Sequence, residues 1–371
     1  MRCFWIFPLI YLTALPVNAQ MADDWRRLRQ YADAVGVDSL CVNPDEACLT
    51  RYVTQLVYGR MPRRMSFQGA PERIDTARIN RLTRQFLNGA DWQPLLDSLE
   101  SHDPHYRQLK EYGMRCLVDD YMCDSVTIEQ VQETLNTYRW LNRFSADKRV
   151  TVNIPSATLR VINRQGRTLL SSQVVVGKRT TPTPLFTASI PSLVTYPYWN
   201  VPRSITVKEL LPKIRKNPTA MLETMKLQVI GAKGQVVDPE RINWTANSFP
   251  YRLRQSTGCD NSLGLLKFNV TNPYDIYLHD TNVRKAFTQE NRQLSHGCIR
   301  VEKPDQLANL LLGYARFGAD YLTCCPKNAS PKTIPLPAAV PVIMTYNLVD
   351  MDEAGAVQVY RDVYGLWRLA L

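Results

Sequence analysis

The stretch Ser295-His296-Gly297-Cys298-Ile299-Arg300, with Tyr277-Leu278-His279-Asp280-Thr281 upstream of it, is the most informative part of this chain. The sequence has 4 histidines, and two of them, His279 and His296, lie shortly before one cysteine. A cysteine attacks a carbonyl as the thiolate, so its free pKa of about 8.5 must be lowered by a nearby base or imidazolium. Histidine suits this role because its unperturbed pKa of about 6.5 lets it take and return the proton near neutral pH.

Two neighbours of Cys298 suit the same chemistry. Gly297 permits the close backbone approach and unusual φ that a pocket of N–H groups for an oxyanion often needs. Arg300 supplies a fixed positive charge suited to a carboxylate. Spacing alone leaves two other interpretations open. His296 and Cys298 could be buried side chains at the start of a strand, or His279, His296 and Cys298 could ligate zinc.

The sequence around this motif is rich in β-branched residues from Arg149 onward, which indicates strands separated by polar, Pro or Gly turns. Residues 204–214 and 220–225 look helical and indicate a small insertion on an all-β core. Pro304 opens a further predicted helix that runs to about residue 314. Strands are predicted at residues 150–154, 158–162, 169–176, 265–269, 274–279, 299–301 and 340–346.

The sequence from residue 23 to about residue 144 has a helical pattern. Residues 126–141 show it most clearly, with apolar side chains recurring on one face. Thr127 with Gln130 three residues later is typical of a capping box at the start of that helix. We interpret these segments as packing helices, since they contain no catalytic cluster.

Composition sets the broad class of the protein. The chain has 371 residues, of which 45% are hydrophobic and 21% charged. At about 150 residues per domain this predicts two to three globular domains and excludes fibrous, collagen-like and mainly disordered chains. The net charge of +11 favours an anionic partner such as nucleic acid, an acidic membrane face or a polyanionic cell wall. A solvated basic surface is an equally good interpretation.

The first 19 residues read as an export signal. Arg2 precedes an almost wholly apolar run at 3–16, and Val17-Asn18-Ala19 supplies small residues before a cleavage point. The apolar run is shorter than the roughly 20 residues of a comfortable membrane span, although an uncleaved anchor remains an alternative. We therefore predict a signal peptide at 1–19 and a mature protein that begins near Gln20.

The cysteines agree with export to an oxidising compartment. Cys41 with Cys48, and Cys116 with Cys123, share a short spacing that suits small disulfide loops. If Cys298 stays a free thiol, one further cysteine must also be unpaired, and the sequence does not assign which. The remaining candidates are Cys259, Cys324 and Cys325.

The upstream His279 followed by S-H-G-C-x-R resembles the catalytic motif of the YkuD-type L,D-transpeptidases. Several other runs, in one order along the chain, resemble the larger YcbB-like branch of that family, and the resemblance is strongest from Val150 onward. Tyr58-Gly59-Arg60 resembles the helical scaffold of that branch more weakly. The runs begin at Tyr198 (YWNVPRSI), Glu209 (ELLPK), Gln235 (QVVDP), Asn261 (NSLGLLKF) and Pro341 (PVIMTY).

The resemblance implies an α+β fold, with a mostly β catalytic domain at 147–330 and a capping subdomain inserted at about 203–250. A helical scaffold region would occupy 20–146, and residues 331–371 would complete the fold. Larger members carry a small peptidoglycan-binding domain between scaffold and catalytic parts. Only about twenty residues separate the Pro104-His105-Tyr106-Arg107 stretch from the helix around Val131, so that domain is not expected here.

The resemblance also implies a role for each site residue. Cys298 would be the nucleophile and His279 the general base, with its ring oriented by the backbone carbonyl of Asp280. The N–H groups of Gly297 and Cys298 would form the oxyanion pocket. Substrate would be organised by Arg300 and lined by Tyr277, Ser295, His296, Trp199 and Asn200. Core packing is an equally good interpretation for Trp199, because a large aromatic side chain is usually buried for its area.

The implied reaction is peptidoglycan cross-linking without metal or cofactor. Cys298 would attack the third residue, meso-diaminopimelate, of a donor tetrapeptide stem and release D-Ala, and an acceptor stem amine would resolve the thioester into a 3→3 cross-link. Partners would be stem peptides and other cell-wall synthases in the periplasm, not nucleic acid, and no membrane span would remain after signal cleavage. Carbapenem acylation of Cys298 is implied as well.

Other hypotheses stay open from the sequence. The same chemistry could use water, a D-amino acid or a protein lysine as acceptor, and the fold could serve as a non-catalytic wall-binding scaffold. A papain-like protease is disfavoured, because there the cysteine precedes the histidine and here His279 comes first. Cys259 lies near the site, and we expect it to be buried and inert; if exposed, it could form a disulfide.

Overall fold

A computed structural model of the chain describes residues 17–37, 45–88, 92–99, 101–118, 126–326 and 329–367. Residues 1–16 of the predicted signal peptide lie outside these ranges, as do Cys41 and Cys123. No helix in the described ranges combines the length and the apolar character that crossing a membrane requires.

The N-terminal part is helical, as the apolar periodicity predicts, and the helices share one buried core. Side chains cap several helix starts, because the first N–H groups of a helix lack partners within it. Thr127 and Gln130 form the predicted capping box, and Asp75 accepts from Arg78 N at 2.9 Å. The helices are α1 (Val17–Ala34), α2 (Glu46–Tyr58), α3 (Thr76–Leu87), α4 (Trp92–Leu99), α5 (Pro104–Cys116) and α6 (Ile128–Trp140).

The central part is a sheet closed into a barrel, in which β14 pairs with both β2 and β5. The ring runs β5-β10-β11-β13-β4-β3-β2-β14, and β1 and β12 attach to β5 and β4 from outside it. Closure leaves the ring strands without free edges. The strands are β1 (Phe67–Gln68), β2 (Lys148–Asn153), β3 (Thr158–Asn163), β4 (Thr168–Gly177), β5 (Phe186–Thr195), β10 (Leu266–Asn269), β11 (Leu278–His279), β12 (Gln293–Ser295), β13 (Ile299–Val301) and β14 (Lys332–Thr345).

Several strand predictions are confirmed, and others are corrected. The predicted strand at 274–279 is wrong for its first four residues: Asn272 Oδ1 accepts from Tyr274 N at 3.0 Å and Asp275 has φ +55°, so a turn precedes β11. β5 was not predicted, since Pro191 interrupts its pattern. The predicted strand at 340–346 is the second half of β14, whose register shifts between Pro335 and Val340. Proline cannot donate to a ladder, so such irregularities are expected there.

A small α/β unit with its own buried core lies between β5 and β10. Its four-stranded sheet has the order β6-β9-β7-β8. A continuous helical run contains a π-helical turn at Thr206–Leu210, between α7 (Arg203–Ile205) and α8 (Leu211–Ile214). The other elements are β6 (Trp199–Asn200), α9 (Pro218–Thr224), β7 (Leu227–Ile230), β8 (Val236–Val237) and β9 (Arg252–Gln255). We call residues 199–255 the cap.

Between β13 and β14, α10 (Pro304–Leu312) packs against the barrel core. After β14, a C-terminal hairpin of β15 (Val349–Met351) and β16 (Val357–Val359) returns to the helices. Asp350 is 2% exposed and joins three parts of the fold. Its carboxylate accepts from Tyr138 Oη on α6 at 2.6 Å and forms an ion pair with Arg160 on β3. The C-terminal segment therefore holds helices and barrel together.

The cysteines differ partly from expectation. Cys48 and Cys116 are disulfide-bonded, while their predicted partners lie outside the described residues. Cys259 is half-buried and bonded to Cys325, with their Cα atoms 5.8 Å apart. The expectation of a buried, inert Cys259 thiol is thus wrong, because the neighbouring loop brings Cys325 to it. In the described part of the chain the free thiols are Cys298 and the exposed Cys324.

Candidate active site

Three adjacent strands place a row of basic side chains on one face of the barrel. The register pairs Lys267 on β10 with His279 on β11, and His279 with Arg300 on β13. Residues directly opposite each other on neighbouring strands lie about 5 Å apart and share a face. The alternate residues Phe268 and Leu278 are buried in the barrel core, so the strand alternation turns the row outward.

His279 is held in one orientation within this row. Its ring is 5% exposed, and Nδ1 lies 2.5 Å from the backbone oxygen of Asp280. A carbonyl only accepts, so Nδ1 carries the proton and Nε2 is left as the basic nitrogen. Burial, together with the charges of Arg300 and Lys267, lowers the pKa of His279 to about 3. The imidazole is therefore neutral, and able to accept a proton, throughout the physiological pH range.

Cys298 follows the motif turn and is half-buried. Its Sγ donates to the backbone oxygen of Asp275 at 3.8 Å. Burial raises the pKa of the thiol, against the lowering effect of Tyr277 and Lys267. The resting site thus combines a protonated thiol with a neutral imidazole, which suits proton removal during attack rather than a preformed ion pair.

The turn that presents Cys298 is held by Ser295. The Ser295 hydroxyl donates to Cys298 O at 2.6 Å and accepts from Gly297 N at 3.1 Å. Gly297 has φ +121°, a conformation that favours glycine. Its N–H, expected to face an oxyanion, is thus occupied by Ser295, whereas Cys298 N has no acceptor within the described residues. Ser295 was expected to contact substrate, but its hydroxyl makes both of these hydrogen bonds within the turn.

A second group of hydrogen bonds, made by Thr183 and Tyr364, holds the same turn. Thr183 Oγ1 donates to Gly297 O at 2.8 Å and accepts from Gly177 N at 2.9 Å. Tyr364 Oη donates to Gly177 O at 2.5 Å and accepts from Thr183 N at 3.2 Å. Tyr364 in the C-terminal segment is therefore linked to the nucleophile loop through Gly177 and Thr183. No sequence motif indicates this connection.

The Asp280 side chain has a structural task. Its carboxylate accepts from Leu265 N and from Arg284 Nη1, both at 2.9 Å. A Cβ atom at Gly264 would collide with this carboxylate, so the glycine is required there. Burial raises the pKa of the carboxyl group, while these hydrogen bonds lower it. Asp280 thus reaches the His279 ring through its backbone oxygen.

The row and the thiol open into one cleft of about 760 Å³ between the barrel and the cap. Eight of the ten predicted site residues line it, whereas Gly297 and Asp280 are buried and contribute backbone atoms. Trp199 fits both interpretations given above, a residue of the substrate site and a core residue, since it lines the cleft and packs against the cap core. The eight are Trp199, Asn200, Tyr277, His279, Ser295, His296, Cys298 and Arg300.

A family comparison identifies this architecture. The model of the YkuD L,D-transpeptidase catalytic domain matches residues 147–340, which is more than half of the chain. The chain belongs to the L,D-transpeptidase family. A relative from Haemophilus influenzae, named "Putative L,D-transpeptidase", is 37% identical over 218 residues, which cover 58% of this chain and 44% of the relative. The match thus spans less than half of that relative's length.

Solved L,D-transpeptidases are similar at lower identity. An L,D-transpeptidase from Mycobacterium smegmatis is 15% identical, covering 54% of this chain and 59% of that one, with a TM-score of 0.28. L,D-transpeptidase 3 from Mycobacterium tuberculosis, in complex with a faropenem-derived adduct, is 12% identical over 54% of this chain and 60% of that one, with a TM-score of 0.27.

The cleft also contains residues that the motif does not include. Lys267 Nζ lies 4.2 Å from the centroid of the Tyr277 ring, and its pKa is lowered by burial. Glu209, on the π-helical turn of the cap, contacts His296 Nε2 with Oε1 at 2.6 Å. Strand alternation could have identified Lys267, as a charge between buried Leu266 and Phe268. No local signal pairs Glu209 with His296, 87 residues away.

The Glu209–His296 contact joins the cap to the nucleophile turn. The two side chains are 44% and 35% exposed, and such pairs contribute at most about 1 kcal/mol. Glu209→Gln is therefore expected to raise KM for the donor about two- to fivefold and to leave kcat nearly unchanged, since it loosens the cap alone. Steady-state kinetics would measure this, with the exposed cap variant Glu223→Gln as the control. Equal KM values for the two variants would contradict it.

The zinc interpretation of the motif receives no support from the structure. Within the described ranges, no three His, Cys, Asp or Glu side chains are grouped so that they could hold a metal ion.

Proposed function

We propose that this chain is an exported peptidoglycan L,D-transpeptidase in which Cys298 forms a thioester with the donor stem. The observation that best supports this proposal is the orientation of His279. Its Nδ1–H donates a hydrogen bond to Asp280 O, and the ring lines the same cleft as the free thiol of Cys298, which leaves Nε2 as the basic nitrogen. A binding scaffold has no use for a neutral, oriented base beside a thiol. Catalysis therefore fits the site better than wall binding alone.

In the first step Sγ of Cys298 attacks the carbonyl carbon of the third donor residue, and Nε2 of His279 takes the thiol proton. The Cys298 N–H and the Tyr277 hydroxyl are the donors available to the oxyanion, and burial keeps the pKa of Tyr277 well above its usual value. The C–N bond to D-Ala then breaks, and the imidazolium returns the proton to the leaving amine. A thioester and free D-Ala result.

In the second step the side-chain amine of an acceptor stem attacks the thioester. His279 accepts the amine proton, the C–S bond breaks and the thiolate of Cys298 is reprotonated. The product is an amide between two third-position residues, the 3→3 cross-link. Water in place of the amine would make the same site a carboxypeptidase, and a D-amino acid or protein lysine would give an exchanged or protein-linked stem.

Lys267 and Arg300 give the cleft its substrate preference. Both side chains are half-buried, and burial lowers the pKa of each group. Neither has an ion-pair partner among the described residues. Donor stems carry carboxylates beside the scissile bond, and a carboxylate placed between these cations would replace the lost hydration.

Lys267→Met is expected to lower kcat/KM for a tetrapeptide donor about 10- to 150-fold, mainly through KM, because one charge-assisted contact of about 1.5–3 kcal/mol is lost. The matched control is Lys208→Met, which removes an exposed lysine from the cap. Steady-state kinetics on both variants measures the difference. An unchanged KM in Lys267→Met would remove this lysine from substrate binding.

The proposed function is tested with purified protein and a disaccharide-tetrapeptide that contains meso-diaminopimelate, with products identified by mass spectrometry. The expected product is a dimer that has lost one D-Ala, formed by the parent protein and not by Cys298→Ala. Tripeptide without dimer would establish the hydrolytic alternative. Dimer formation by a folded Cys298→Ala variant would overturn the proposal.

Export is part of the same proposal. Cys48, Cys116, Cys259 and Cys325 are all disulfide-bonded, which is typical of proteins in an oxidising compartment such as the periplasm. N-terminal sequencing of the protein recovered from that compartment is expected to begin at Gln20. Recovery from the membrane with residues 1–19 still present would favour the anchored alternative.

A further inference from the structure

A second large cavity, of about 660 Å³, lies between the helices and the barrel. Its walls come from the end of α2, the start of α3 and the turn between β3 and β4. It shares no lining residue with the catalytic cleft. The proposed reaction does not use it.

A buried arginine faces this cavity. Arg149 is 4% exposed, and its Nε has no hydrogen-bond partner among the residues that the structure describes. Burial lowers the pKa of the guanidinium, and the carboxylate of Asp103, the nearby opposite charge, opposes this only in part. Asp103 does not approach within ion-pair distance, and its carboxylate accepts from His105 N at 2.9 Å. A buried, unpaired cation is costly unless an anion compensates it.

The rest of the cavity is also positive. Arg73, Arg78 and Arg164 line it, and Arg73 and Arg164 are exposed at its mouth. The lining carboxylate, Asp75, accepts the backbone N–H of Arg78 as the cap of α3. His102 lines the cavity too, with its Nδ1 3.0 Å from Arg107 Nη2. The charges therefore favour an anionic ligand, and the guanidinium groups favour carboxylate geometry.

Apolar surface accompanies the charge. Val57, Ile74, Leu99 and Phe144 line the same cavity, so a ligand that combines carboxylates with hydrocarbon or peptide surface fits better than a bare inorganic anion. The turn at Gly166 and the nucleophile loop lie at opposite ends of β4, since Arg300 pairs with Val175 near the far end of that strand. Ten residues at about 3.3 Å each separate the two sites by about 30 Å.

We propose that this cavity binds the acidic peptide part of a peptidoglycan strand at a distance from the catalytic cleft. The choice of ligand rests on the proposed function, whereas binding of a carboxylate-bearing peptide rests on the cavity alone. A stem held here would anchor the enzyme to the wall while Cys298 acts on another stem. Arg149 supplies the buried charge, and Arg73 and Arg164 guide the ligand at the entrance.

The test uses the full chain with Cys298→Ala, so that no turnover occurs, and a disaccharide-tripeptide that carries a diazirine. After photolysis, tryptic mass mapping locates the cross-links. We expect cross-links to peptides that contain residues 73–78 or 163–166, besides those in the catalytic cleft. The double variant Arg73→Ala/Arg164→Ala is expected to lose the first group at least about tenfold and to keep the second.

The matched control is Arg81→Ala/Arg167→Ala, which removes two exposed arginines, one from α3 and one from the β3–β4 turn, that do not line the cavity. Cross-linking equal in the two double variants, or confined to the catalytic cleft, would overturn the proposal. So would equal cross-linking by a probe whose carboxylates are amidated. Competition by inorganic phosphate below the concentration of free tripeptide needed for the same effect would assign the cavity to phosphate and overturn the peptide assignment.

Arg149→Met tests the buried charge itself and is expected to reduce the same cross-links. If its thermal unfolding shows that it does not fold, the double variant still decides the question. The assay is independent of turnover. Cavity cross-links in Cys298→Ala, together with no dimer from the parent protein, would overturn the proposed cross-linking function and keep this site. Dimer formation by the parent without cavity cross-links in Cys298→Ala would do the reverse.

Discussion

Replacing His279 with Asn is expected to slow acylation of Cys298 by about a thousandfold at neutral pH, within the range measured for general bases. The Asn side chain is shorter than the His ring, but its amide can still donate to Asp280 O near the position of Nδ1. It has no basic nitrogen at the position of Nε2. The thiol of Cys298, whose pKa is raised by burial, would then have to ionise unaided. Intact-protein mass spectrometry of the acyl-enzyme formed with a carbapenem measures the rate.

The pH dependence of acylation separates this explanation from simple misfolding. In the parent protein His279 is already deprotonated above pH of about 3, so the rate should be nearly flat from there to neutrality and fall only in stronger acid. In His279→Asn the rate should follow the thiolate fraction, rising tenfold per pH unit up to the thiol pKa. His102→Asn, which changes a histidine outside the cleft, is the control. A flat profile in His279→Asn would refute the base assignment.

Asp350→Asn is expected to lower the free energy of unfolding by about 3–5 kcal/mol, the usual effect of removing one partner of a buried ion pair. The change leaves Arg160, with a side chain 16% exposed, without its counter-charge. It also weakens the bond from Tyr138 Oη, which joins α6 to the hairpin at 2.6 Å. Urea denaturation followed by circular dichroism measures the difference.

The control for this change is Glu353→Gln, an exposed residue of the same hairpin, which should stay within about 0.5 kcal/mol of the parent. Because Asp350 contacts both helix α6 and barrel strand β3, the helical part and the barrel should unfold together in the parent protein. Equal stabilities for Asp350→Asn and Glu353→Gln would show that the ion pair contributes nothing net. The cost of burying both charges would then cancel their attraction.

The sequence predicts those elements whose local signals agree with their tertiary surroundings. Helix α6 has apolar periodicity and a capping box, and β13 is a β-branched run after a glycine turn, so both are predicted correctly. β5 is missed because Pro191 and its serines hide a strand that is stabilised by two neighbours, β10 and β14. Barrel closure by β14 depends on pairing across more than 130 residues, which no local pattern encodes.

The candidate site shows the same division. The motif identifies Cys298 and His279 through residue chemistry, and the structure brings both into one cleft. The hydrogen bond from Gly297 N to Ser295 Oγ could not be foreseen, because the position of a backbone N–H depends on the turn that surrounds it. Alternation along β10 marks Lys267 as a charge between two buried apolar residues, but only the register with His279 shows that it lies in the site.

The closure of the barrel by β14 limits how the catalytic part can be separated from the rest of the chain. The family match ends at residue 340, yet β2 pairs with Val342–Thr345 beyond that point. A recombinant fragment cut at the family boundary would end inside a strand and expose β2 as an open edge, where a second copy could add by strand exchange. It would also lack Tyr364, whose hydroxyl hydrogen-bonds to Gly177 and Thr183 next to the nucleophile loop. Module swapping and truncation experiments should therefore treat the enzyme as indivisible from the barrel to its C-terminal hairpin.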